Sequence, residues 1–126
     1  MARVLYIEDN SDNRLLVKRV LLASDYEFEI LEAENATKGI ELACSAQPDL
    51  ILMDISMPDM DGLTATRRLK AMPEMTGIPI IALTANAMEK VEVQARNAGC
   101  DGFIRKPIDI DKLPNDLMGY IRSFAR

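Results

Sequence analysis

Two kinds of hydrophobic pattern alternate along the chain. Short apolar runs occur at Val4-Leu5-Tyr6-Ile7, Phe28 to Ala33, Leu50-Ile51-Leu52-Met53, Ile80-Ile81-Ala82-Leu83 and Phe103-Ile104. The first, third and fourth are continuously apolar, the pattern of parallel strands buried on both faces. The second alternates around Glu29 and Glu32, which predicts a half-exposed strand at a sheet edge. Between these runs the apolar positions recur at helical spacing: Leu16, Val20 and Ala23; Ala36, Ile40 and Ala43; Met88, Val91, Ala95 and Ala98; and Leu113, Leu117, Tyr120, Ile121 and Phe124. A further helix, from about Gly62 to Ala71, is anchored mainly by Leu63 and Leu69. Gly99 is placed to cap the fourth helix, whereas Pro114 leaves the start of the fifth open. Five strands alternating with five helices predict an α/β fold, its parallel sheet covered on both faces. Right-handed crossovers leave few ways to wind it. No internal repeat, low-complexity tract or interdomain linker interrupts the pattern, so one domain over residues 1–126 is expected.

Composition narrows the class. A chain of 126 residues, 48% hydrophobic and 28% charged, fits one ordinary soluble globular domain. No apolar run approaches the roughly 20 residues needed to cross a bilayer. The N-terminus, Met-Ala-Arg-Val-Leu-Tyr-Ile-Glu-Asp, has no cleavable apolar segment, so a cytoplasmic address is expected. The net charge is −5, and no basic stripe is present to neutralise nucleic-acid phosphates. Of the two basic clusters, Arg67, Arg68 and Lys70 read as a solvated helix face, and Arg105-Lys106 follows the fifth strand. Neither nucleic acid nor membrane is an expected partner. Cys44 and Cys100 fit neither a zinc nor a redox spacing and are expected to be buried free thiols. Histidine is absent, which excludes a catalytic triad, a histidine metal site and a phosphohistidine carried on this chain.

The polar residues gain meaning from position. In open α/β sheets the functional crevice lies outside the carboxyl ends of the strands. Here the first strand ends in Glu8-Asp9, the third in Asp54, the fourth in Thr84 and the fifth in Arg105-Lys106-Pro107. Each alone could be a strand turning polar as it leaves the core; the set is chemically complementary. Clustered carboxylates raise one another's pKa unless a cation intervenes, and Lys106 alone cannot neutralise three. A few carboxylates with retained waters suit a magnesium ion. Lys106 and Thr84 then supply a point charge and a hydroxyl donor for phosphoryl oxygens. A carboxylate nucleophile attacking phosphorus gives an acyl phosphate.

Glu8-Asp9, Asp54 followed by Met57-Pro58 and Asp61-Gly62, Thr84-Ala85 and Lys106-Pro107 together resemble the receiver domains of two-component response regulators. The resemblance spans essentially the whole chain, with intervals of 45 residues from Asp9 to Asp54, 30 to Thr84 and 22 to Lys106. It implies a flavodoxin-like, doubly wound sheet of five parallel strands in the order 2-1-3-4-5 with five helices. It also implies a phosphoacceptor switch that catalyses its own phosphorylation and dephosphorylation. Asp54 would be the nucleophile and a metal ligand; Asp9 would bind Mg2+ directly, Glu8 mostly through water, and Ser56 through its backbone carbonyl. Thr84 would bond one phosphoryl oxygen and Lys106 another. Phe103 stands where the family keeps its aromatic switch, without the hydroxyl some members carry. The phosphoryl donor would be a histidine kinase or histidine phosphotransfer protein, and a downstream protein would read the surface of the fourth helix, fifth strand and fifth helix.

Several neighbours have structural explanations. Gly62 is expected to serve a turn that other residues cannot make. Lys106-Pro107 resembles a family peptide bond that is commonly cis, and Met57 and Met60 read as loop packing. Asn86, two residues after Thr84, lies where side chains influence access to the phosphoryl group.

Three other readings compete. A haloacid-dehalogenase-type phosphatase needs a second aspartate two residues after the nucleophile, where this chain has Ser56. A nucleotide- or flavin-binding module needs a phosphate cradle, whereas Glu8-Asp9-Asn10-Ser11-Asp12-Asn13 is acidic and lacks glycine. A receiver belonging to a hybrid histidine kinase is suggested by Ala82-Leu83-Thr84-Ala85-Asn86-Ala87-Met88. Met1 and the fit of the sequence to one domain favour a stand-alone regulator.

Overall fold

The structure is a computed structural model and describes residues 1–55, 61–85 and 88–124. Strands β1 (Ala2–Ile7), β2 (Phe28–Ala33), β3 (Leu50–Asp54), β4 (Ile80–Thr84) and β5 (Gly102–Arg105) alternate with helices α1 (Ser11–Leu22), α2 (Ala36–Ala46), α3 (Gly62–Lys70), α4 (Glu89–Ala98) and α5 (Leu113–Phe124). A short 3-10 turn, Pro73–Met75, precedes β4. The strands form one sheet in the order β2-β1-β3-β4-β5, with every neighbouring pair parallel.

Side chains alternate across a strand, so each continuous apolar run feeds two cores. Leu5, Ile7, Ile51, Met53, Ile80 and Ala82 meet the α2–α3–α4 layer through Ala36, Ala43, Ala65, Leu69 and Ala95. Val4, Tyr6, Leu50, Leu52, Ile81 and Leu83 meet α1 and α5 through Val17, Leu21, Leu113 and Leu117. All residues of β3 and β4 are buried. β2 lies at the edge, with Glu32 turned outward toward Arg14 and Lys18. Local chemistry sets the helix starts: the side chains of Asn10, Asn35 and Asp61 accept from the backbone amides of Asn13, Lys38 and Thr64, each satisfying an otherwise orphaned donor.

The helical phase differs from expectation in α1. Val17 and Leu21 are buried, whereas Leu16 is 47% exposed and Ala23 is the C-cap. Leu15-Leu16-Val17 and Val20-Leu21-Leu22 are apolar triplets, so spacing alone supports two phases and packing selects one. In α4, Met88 is the exposed N-cap and the buried stripe rests on Ala95 and Ala98. Gly99 caps this helix at φ 109°, a backbone state natural to glycine. Pro114 sits buried in the first turn of α5, where a missing N–H costs nothing. Cys100 is buried as expected, but Cys44 on α2 is exposed, with its Sγ 3.6 Å from Met72 Sδ. Gly62 has no positive φ. It is needed for closeness: a Cβ there would stand 2.5 Å from the Asp54 carbonyl oxygen and 2.6 Å from Ile55 Cα. Among the described residues, no helix is long and apolar enough to cross a membrane.

Candidate functional site

Parallel pairing aligns the strand ends. Ile7 pairs with Met53, Asp54 with Leu83, and Thr84 with Arg105, so the residues that follow each strand emerge on one rim. Glu8 extends β1 by donating its amide hydrogen to the Ala33 carbonyl at 3.0 Å. Lys106 leaves β5 donating its amide to the Thr84 carbonyl at 2.7 Å, and its bond to Pro107 is cis.

The carboxylates of Glu8, Asp9 and Asp54 converge: one oxygen from each lies within 4.8 Å of the others. Glu8 and Asp54 are 1% and 3% exposed, whereas Asp9 opens to solvent. The Lys106 ammonium reaches over them, 2.8 Å from Glu8 Oε1 and 3.5 Å from Asp54 Oδ2. Thr84 is buried on β4 beside the rim. Phe103 pairs in register with Ala82, two positions before the Thr84–Arg105 pair. It therefore shares the sheet face of Thr84 and packs, half-buried, into the core that includes Val91 and Ala95.

Burial opposes the charged form of Glu8, but the hydrogen bond from Lys106 and the Lys106 charge outweigh it and hold the carboxyl well below its ordinary range. Burial likewise works against the Lys106 ammonium; the hydrogen bond to Glu8 and the charge of Asp54 overcome it and raise its pKa. One ammonium among three carboxylates leaves excess negative charge in a part-buried setting. Such a donor set of carboxylate oxygens, open to water at Asp9, fits a hard divalent ion.

Sequence reasoning named Glu8, Asp9, Asp54, Thr84 and Lys106, and all five lie on this rim. Ser56, Met57, Pro58, Met60 and Asn86 lie outside the described residues. Three neighbours went unnoticed. Tyr6 donates its hydroxyl to Glu8 Oε1 at 3.1 Å, Asn13 donates Nδ2 to the same oxygen at 3.2 Å, and Arg14 donates Nη1 to the Glu8 carbonyl at 2.6 Å. Tyr6 was findable: two residues before Glu8 on a strand, it shares that residue's face, and it carries a hydroxyl in an otherwise apolar run. Burial, followed by the Glu8 charge and hydrogen bond, pushes its phenol far up, so it remains a donor.

Comparison with known proteins agrees with this geometry. The sequence profile described as "Response regulator receiver domain" matches residues 4–118. The polar-differentiation response regulator DivK of Brucella anthropi is 38% identical over 118 residues, covering 94% of each chain. Among solved structures, the receiver domain of sensor histidine kinase PA1611 from Pseudomonas aeruginosa, described with a magnesium ion coordinated in its active-site cleft, superimposes with a TM-score of 0.87. It is 29% identical and covers 96% of this chain and 98% of its own. A solved structure from Chloroflexus aurantiacus reaches a TM-score of 0.89 at 21% identity, covering 96% of this chain and 98% of its own, a likeness of fold.

Proposed function

Since the chain belongs to the response regulator receiver domain family, we propose that it is a phosphoacceptor switch in which Asp54 takes a phosphoryl group from a phosphohistidine on a histidine kinase or phosphotransfer protein. The observation that carries this reading is the convergence of Asp54, Glu8 and Asp9 beneath the Lys106 ammonium at the carboxyl edge of the sheet. An Asp54 carboxylate oxygen attacks phosphorus, the P–N bond to the donor breaks, and an acyl phosphate forms. Asp9 and Asp54 would hold Mg2+, with Glu8 acting mostly through water and the Ser56 carbonyl adding a ligand. When bound, that ion supplies the charge that offsets the phosphoryl oxygens. Lys106 pairs with one phosphoryl oxygen and the Thr84 hydroxyl with another. The domain works as a regulator that performs its own phosphorylation and dephosphorylation, at a cytoplasmic address, with its fold over residues 1–126.

An apolar groove of about 390 Å3 borders Lys106, lined by Asn13, Leu16, Ala85, Pro107 and Ile108. It offers the donor protein an apolar seat beside Lys106, with the exposed Leu16 on its wall.

Output follows from Thr84 and Phe103 sharing a sheet face. The Thr84 hydroxyl moves toward the phosphoryl group, Phe103 turns into the vacated space, and the α4–β5–α5 surface repacks for a downstream protein. A few kcal/mol of differential stabilisation reverses such a population. Acetyl phosphate with Mg2+ should shift the amide resonances around Phe103 and residues 88–98 in the wild type. Phosphorylated Thr84→Ala should accept phosphate yet respond weakly there. A full wild-type response in that variant rules out the threonine-linked switch.

A further inference from the structure

Glu8 is a buried carboxylate on which three donors meet at one atom. The Tyr6 hydroxyl, Asn13 Nδ2 and Lys106 Nζ all reach Oε1, at 3.1, 3.2 and 2.8 Å. They differ in how permanent they can be. Under the proposed function, from which this inference proceeds, Lys106 must also serve a phosphoryl oxygen. Its departure would leave a carboxylate that is 1% exposed without its charged partner, an arrangement that is costly unless other hydrogen bonds remain. Tyr6 and Asn13 are neutral, and neither bonds a phosphoryl oxygen in the proposed reaction. The Tyr6 ring is wholly buried on β1 among Val17, Leu21, Leu52 and Leu83, and Asn13 lies in the first turn of α1. Strand alternation puts Tyr6 under Glu8 on one face, while Ile7 between them enters the opposite core. An apolar residue at position 6 would fill the same core and supply no donor.

We infer that Tyr6, assisted by Asn13, is a positioning residue for the cation site: its hydroxyl pins Oε1 of Glu8, so that the carboxylate keeps its orientation toward Asp9 and Asp54 whether or not Lys106 is engaged with it. Groups that orient a ligand in this way typically affect metal affinity by about 10–100-fold when removed.

The test is titration with MgCl2 alone, without phosphodonor, followed through the amide shifts of Glu8, Asp9 and Asp54. Tyr6→Phe retains the ring and removes only the hydroxyl. Its Kd for Mg2+ should rise on the order of tenfold, Asn13→Ala should show a smaller rise, and the double variant should exceed both. A spectroscopic signature accompanies this: Mg2+ should perturb the near-ultraviolet tyrosine absorption of the wild type, and the perturbation should vanish in Tyr6→Phe although Tyr26 and Tyr120 remain. Wild-type affinity in Tyr6→Phe overturns the inference and leaves the phosphoacceptor reading standing. Absence of Mg2+ binding in the wild type overturns both. Should Tyr6→Phe fail to fold, Asn13→Ala on the helix surface decides the matter, and an unchanged Kd there overturns it.

Discussion

At Glu8, burial and hydrogen bonding pull in opposite directions, and hydrogen bonding wins. Burial would raise the carboxyl, but the hydrogen bond and charge of Lys106 bring it down from the ordinary 4.5 to about 2. Between those values the unfolded chain takes a proton at Glu8 and the folded chain does not. The associated stability is therefore present above 4.5 and is lost as pH falls toward about 2. In metal-free buffer, thermal midpoints should fall more steeply between these limits in the wild type than in Glu8→Gln. Parallel curves would show that the carboxylate is not held in its charged form. The two thiols make a second contrast at this scale. Cys44 is exposed, whereas Cys100 is buried and its pKa is raised by that burial; reactivity follows exposure and thiolate fraction. A thiol-disulfide reagent should titrate one thiol in the native protein and the second only in denaturant. Rapid reaction of both in the native state would contradict the packing of Cys100.

Among the elements, α3 starts directly against the strand end that carries Asp54. Gly62 opens it against the backbone of Asp54 and Ile55, at distances a Cβ cannot share. Backbone lies on the far side of the contact, so relief requires the helix or the strand end to move. Gly62→Ala should destabilise the fold by about 1–3 kcal/mol, as overpacking does, and should slow phosphoryl uptake by displacing Asp54. Gly119→Ala is the control: nothing lies within 4 Å of a Cβ there, and removing a mid-helix glycine should stabilise by about 0.4–1 kcal/mol. Denaturant midpoints measure both, and equal effects would refute the close-approach account. The elements were legible because continuous apolar runs bounded by polar rim residues specify buried parallel strands. The phase of α1 was not, because consecutive apolar triplets satisfy two helical faces equally. Nor was the role of Gly62, since a residue needed for tertiary closeness looks identical in sequence to one needed for a left-handed turn.

For the molecule as a whole, the parallel sheet collects at one edge the charges that its strands exclude from the core. Glu8, Asp9, Asp54, Thr84 and Lys106 were readable from sequence because that edge is fixed by topology. Tyr6, Asn13 and Arg14 were harder, because each resembles core or surface until Glu8 is seen to turn inward. Three carboxylates around one ammonium should destabilise the metal-free fold. Asp9→Asn should therefore raise the thermal midpoint without Mg2+ and reduce the further rise that Mg2+ gives the wild type. Binding at a hundred times Kd contributes about 2.7 kcal/mol. An undiminished Mg2+ effect in Asp9→Asn would place the ion elsewhere. The central claim, that Asp54 is the phosphoacceptor, is tested most directly by intact mass after incubation with acetyl phosphate and Mg2+. The wild type should gain one phosphoryl group, and Asp54→Asn, which keeps the shape but removes the nucleophile, should gain none. Undiminished phosphorylation of Asp54→Asn would contradict the assignment.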